Sequence, residues 1–76
     1  MTRTVLDLKK GETSEISGFV SEDNILKLLE MGFLPGSKVK LKHLAPFKGP
    51  LFVNVGGNDM AIRRGIAKNI LILPKQ

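Results

Sequence analysis

Apolar residues recur along this chain in short bursts, and glycine or proline closes each burst. The stretch TVLDL (4–8) reads as a short alternating segment with Val5, Leu6 and Leu8 as inward positions, and KKGE (9–12) reads as a turn. TSEISGFV (13–20) reads as a strand whose apolar members are Ile16 and either Phe19 or Val20. Gly18 interrupts its alternation, the mark of a bulge or a close backbone approach.

The pattern then changes period. Ile25, Leu28 and Leu29 recur at helical spacing and are expected to face the core. Ser21 is the predicted cap, because its hydroxyl can accept from the free N–H groups of a first turn, and Glu22 and Asp23 suit the positive end of the helix dipole. Asp23 and Lys27 stand four apart with the acid first, the better order for a surface pair. The segment LLEMGFLPGSKVKL (28–41) ends this helix and starts a strand within a few residues. Gly32 is predicted in the left-handed position after the helix, with Phe33 folding back over Leu28. Leu34 precedes proline and is pushed to extended geometry. Pro35-Gly36 suits the centre of a type II turn. Leu28, Leu29, Gly32, Pro35 and Gly36 therefore read as structural residues.

The remainder alternates with period two. In SKVKLKHLA (37–45), Val39, Leu41 and His43 alternate with Lys38, Lys40 and Lys42. PFKGP (46–50) is a loop, LFVNV (51–55) a strand, and GGND (56–59) supplies the positive torsions of a tight hairpin. MAIRR (60–64) returns with Met60 and Ile62 on one face. RGIAK (64–68) has room for one helical turn, and NILILP (69–74) is a final strand stopped by Pro74. The chain is thus mainly β, with about five short strands and one helix in a single domain over residues 1–76. A sheet this small protects its edges best by closing into a barrel.

Composition narrows the class. The chain has 76 residues and no cysteine, so a hydrophobic core must do the stabilising without disulfides or thiolate metal clusters. No apolar run is long enough to span a membrane or to serve as a signal peptide, so a cytoplasmic location is expected. The net charge of +5 is uneven. Residues 1–30 carry four basic side chains against six acidic ones, whereas residues 31–76 carry eight against Asp59 alone. Such a balance implies an acidic partner: nucleic acid, a membrane surface or an acidic protein face.

Candidate chemistry is sparse. The serines sit in cap and turn contexts with His43 as the one imidazole, and no acid pair is spaced for catalysis, so the chain is not read as an enzyme. GGND lacks the lysine and hydroxyl residue of a phosphate-binding loop. His43, with Asp59, Glu30 or Asn58, is a weak candidate for a metal site. The stripe Lys38, Lys40 and Lys42 can follow a phosphate backbone, but with Phe47 and Phe52 as the nearby aromatics the stacking platform of a single-strand binder is missing. Nucleic acid is not expected as a partner, and no cofactor is.

With these residues in view, the chain resembles the ferrous iron transport protein A family, FeoA. The resemblance runs over nearly the whole length, through LDLKKGE, ILKLLEMGFLPGSKVKL, LAPFKGPLFVNVGG and MAIRRGIAKNILI, with MGFLPGSKV (31–39) its most specific element. Lys48-Gly49-Pro50 stands where the family often has Gly-Asp-Pro. The resemblance implies an SH3-like barrel and a cytoplasmic accessory or regulator of bacterial ferrous iron uptake. It also implies a partner, the membrane GTPase permease that is the B protein of the same system, through which the chain would be peripheral to the membrane. For that contact the candidates are Lys38, Lys40 and Lys42 with the apolar Leu34, Leu44 and Phe47. A small transition-metal-binding carrier and a basic SH3-like nucleic-acid-binding domain are the alternatives.

Overall fold

A computed structural model of the chain describes residues 2–74. The elements run β1 (Arg3–Thr4), a 3₁₀ turn (Val5–Asp7), β2 (Thr13–Phe19), α1 (Ile25–Glu30), β3 (Lys38–Leu44), β4 (Leu51–Val55), β5 (Asn58–Ile62), α2 (Arg64–Ala67) and β6 (Ile70–Ile72). All strand pairs are antiparallel, in the order β1-β6-β2-β3-β4-β5. The expected mainly β domain is present, with a two-residue strand and a one-turn helix added to the count.

Strand β2 makes the sheet turn back on itself. Its first half pairs with β3 (Thr13 with Lys40, Glu15 with Lys38), and its second half with β6 (Ile16 with Ile72, Phe19 with Ile70). Between Ile16 and Gly18 the register shifts, which is the bulge that the interrupted alternation predicted. The inner faces converge on one core that includes Val5, Ile16, Leu28, Phe33, Val39, Leu41, Leu51, Val53, Val55, Ile62, Ala67 and Ile70.

The helix-to-strand joint follows the sequence closely. The Phe33 amide donates to the Leu28 carbonyl and the Gly32 amide to the Leu29 carbonyl, both at 3.0 Å, which is the paired bonding of a Schellman stop. Gly32 has φ +102. Gly36 has φ +95, and the Ser37 amide donates to the Leu34 carbonyl at 2.9 Å across the predicted type II turn.

Several expectations are corrected. TVLDL is not an extended alternating segment: Val5–Asp7 is a 3₁₀ turn, held where the Thr4 amide donates to the Asp7 carboxylate at 2.8 Å, and Leu6 is only half-buried. Ser21 does not cap the helix. α1 starts at Ile25, preceded by Asn24 in the left-handed region at φ 60. The intervening loop is gripped by Asn69, which accepts from the Ser21 amide at 2.7 Å and donates to the Asp23 carbonyl at 3.2 Å. The Ser21 hydroxyl instead accepts from the Asp23 amide at 3.3 Å. Asp23 therefore lies outside α1 and cannot pair with Lys27 along a helix face. Leu28 is buried, but Ile25 and Leu29 are half-buried, because a helix of six residues lays only its central leucine fully against the sheet. Val20 is exposed, leaving Phe19 as the apolar member at the end of β2.

Candidate functional site

The basic candidates lie on the outer face of β3. Val39 and Leu41 point into the core and Lys38, Lys40 and Lys42 stand exposed, as alternation requires. The register between β3 and β4 then shifts: Leu41 pairs with Val53 but His43 pairs with Phe52, so Lys42 is an extra residue. This bulge resets the alternation. His43 is consequently exposed, not inward, and its ring lies 5.8 Å from that of Phe52.

The three lysines have different surroundings. Lys38 lies opposite Glu15 of β2, and Lys40 lies between Thr13 and Asn54 of the flanking strands. Lys42 pairs with the Asp59 carboxylate of β5 at 3.2 Å, and the Asn54 amide donates to the same carboxylate at 2.8 Å. The Asn54 amide, and then the Lys42 ammonium, hold the Asp59 carboxyl below the usual carboxylate range. Lys42 is thus already committed, and Lys38 and Lys40 carry the accessible positive charge of this face.

The apolar candidates do not form one patch. Leu34 sits in the turn that leads into β3, whereas Leu44 ends that strand and Phe47 follows in the loop beyond it. Seven residues of strand separate the two ends, roughly 20 Å. Leu34 and Leu44 are about half exposed and Phe47 is fully exposed. Phe52, considered from the sequence as a nearby aromatic but not as a contact candidate, is 40% exposed beside His43 and belongs with Leu44 and Phe47 at this end. The signal was available: Phe52 alternates with Leu51 and Val53, which are both buried.

A surface depression, which the sequence does not announce, lies between the Ser21–Asn24 loop and α2. It measures about 370 Å³ and is lined by Val20, Leu28, Ile66 and Asn69. Val20 at its rim, and Leu26 in α1, are exposed apolar residues. Among the described residues, no group of three or more His, Cys, Asp or Glu side chains comes together. No helix among them is long and apolar enough to cross a membrane.

A family model for the FeoA domain matches residues 3–74. The chain belongs to the FeoA family. Among solved structures, an iron uptake regulatory protein (FeoA) is 26% identical at a TM-score of 0.83, covering 95% of this chain and 96% of its own. FeoA from Stenotrophomonas maltophilia, solved with zinc and described as a prokaryotic SH3 domain protein, is 24% identical with a TM-score of 0.78 over 92% of this chain and 88% of its own. A manganese-dependent transcriptional repressor shares the fold at 16% identity and a TM-score of 0.85, with 95% of this chain matching 36% of the repressor. Against curated proteins the sequence finds no match. The architecture is that of an SH3-like domain, and the family ties the chain to ferrous iron transport.

Proposed function

We propose that this FeoA protein is a cytoplasmic accessory factor of ferrous iron uptake that docks on the cytosolic part of the membrane GTPase permease, the B protein of the same system. The observation that carries the reading is the family match over residues 3–74. The exposed charge supports a docking role: Lys38 and Lys40 offer an accessible basic face to an acidic protein surface, with Leu34 at one end and Leu44 at the other. The domain acts by binding, without a reaction or a cofactor of its own. Immobilised GTPase domain tests this directly. The chain is expected to associate with it in a salt-dependent manner. Absence of association at low salt overturns the reading.

A further inference from the structure

The loop between β3 and β4 displays an aromatic side chain under conditions that neither packing nor turn chemistry requires. Phe47 and Lys48 both have φ +58, and the Gly49 amide donates to the Pro46 carbonyl at 3.1 Å. This is the backbone of a type I′ turn, whose two central positions favour asparagine and glycine. Here they hold phenylalanine and lysine, and the phenyl ring is 100% exposed.

The loop is also stiff. The Ala45 amide donates to the Pro50 carbonyl at 3.1 Å and closes its base. Gly49 has no space for a side chain: a Cβ there would lie 2.8 Å from the Ala45 Cβ and 3.1 Å from the Pro46 carbonyl oxygen. Two prolines flank the tip. The ring is therefore held out at the tip of a closed, proline-flanked loop, with the exposed faces of Leu44 and Phe52 behind it.

The charge placed at this end of the barrel is basic. Lys48 stands exposed in the tip beside Phe47, and the exposed Arg63 follows Ile62, the strand partner of Leu51 at the exit of the loop. The acid of β5, Asp59, is engaged by Lys42 and Asn54.

We propose that the Ala45–Pro50 loop is an interfacial anchor for an anionic lipid bilayer, with the Phe47 ring entering the boundary between headgroups and acyl chains and Lys48 meeting the headgroup phosphates. An exposed tip that pairs one ring with neighbouring cations suits a lipid interface, which requires no complementary concave surface. Lys48 and Arg63 match the negative potential of an anionic leaflet. One ring and two basic side chains give weak, reversible attachment, which orients the domain on a membrane without fixing it there. The inference concerns the protein and lipid alone and stands independently of the docking reading.

The test uses the whole chain and two kinds of vesicle, phosphatidylcholine alone and phosphatidylcholine mixed with phosphatidylglycerol. The protein is expected to co-sediment with the mixed vesicles and not with the neutral ones, and to release as salt is raised. Phe47→Asn retains every charge and suits the turn, so its circular dichroism is expected to stay native while vesicle affinity falls about tenfold or more. Phe47→Trp places the sole tryptophan of the chain at the tip. Its emission is expected to shift to the blue with mixed vesicles and to be quenched by brominated acyl chains. Absence of binding to anionic vesicles overturns the proposal. So does Phe47→Asn binding as well as wild type, which would reduce the attachment to bulk charge. If Phe47→Asn impairs association with the soluble GTPase domain and leaves vesicle binding intact, the loop is a protein contact and the proposal fails.

Discussion

The Phe33 amide reaches back to the Leu28 carbonyl across the end of α1, and the two side chains lie in the same core with 0% and 2% exposure. This bond requires Gly32 between them to adopt φ +102. A Cβ at Gly32 meets nothing closer than the Val55 Cγ1 at 4.0 Å, so the obstacle to substitution is torsional, not steric. Gly32→Val is expected to cost about 1–2 kcal/mol in denaturant unfolding. A melt superimposable on wild type would contradict the left-handed assignment.

Leu28 and Leu29 are adjacent in sequence but unequal in burial. Leu28→Ala is expected to cost about 2–5 kcal/mol, much of the stability of so small a domain. Leu29→Ala is expected to cost about 1 kcal/mol, since only part of its side chain leaves water. Equal losses, read from urea midpoints at constant slope, would place α1 in a different rotation.

Phe47 makes the opposite prediction. Its ring contributes no buried area, and its backbone torsion disfavours a bulky residue. Phe47→Asn is expected to raise stability by about 1 kcal/mol. A destabilised variant would show that the ring packs on the fold after all.

Asp59 gives the outer face a pH-sensitive contact. Its carboxyl is lowered by Asn54 first and Lys42 second. A carboxylate whose folded pKa is depressed contributes stability that is present above its unfolded pKa and lost as pH falls through the folded value. The Lys42–Asp59 contact is therefore expected to persist at neutral pH and to loosen only in acid below the usual carboxylate range. Carbon-detected NMR titration is expected to give Asp59 a depressed midpoint that Asn54→Ala and Lys42→Ala each raise. A midpoint unmoved by either variant would remove the assigned cause.

Lys38 and Lys40 are expected to act on encounter with an acidic partner more than on residence. Reversing both to glutamate is expected to slow association with the GTPase domain and to flatten its salt dependence while the fold is retained. Lys42→Glu is expected to add little beyond loss of its bridge to Asp59. Unchanged association rates would move the contact to another face, with Val20 and Leu26 the next residues to vary.

The parts of this structure that were legible in the sequence are those where one residue type answers a local backbone demand. Gly32, Pro35-Gly36, Gly56-Gly57 and the Gly18 bulge each specify a torsion or an interruption that few other residues allow. The parts that were not legible depend on distant partners or on register. The start of α1 is displaced from Ser21 because Asn69, 48 positions away, holds the intervening loop. The bulge at Lys42 is invisible to alternation, since Lys42 and His43 fit either face until β4 is laid alongside. The Phe47–Lys48 turn hides because it lacks the Asn-Gly pair that announces its type. The basic stripe was correctly placed outward, but the cross-strand bond from Lys42 to Asp59 could only be seen once β5 was in position.

The pairing of β1 with β6 joins the first described strand to the last, Arg3 beside Ile72 and Thr4 beside Leu71. The second half of β2 waits for the same last strand. During synthesis the β3–β4–β5 meander can assemble from neighbours as it emerges, and the Ile16 backbone can already bond Gly36 and Ser37, but Phe19 lacks its strand partner until Ile70–Ile72 has left the ribosome. Closure is thus the most non-local pairing among the described strands, and loop entropy across the intervening sequence is expected to weigh on its rate. Substitutions in β6 are accordingly expected to accelerate unfolding while leaving the early meander, and the speed at which it forms, almost untouched.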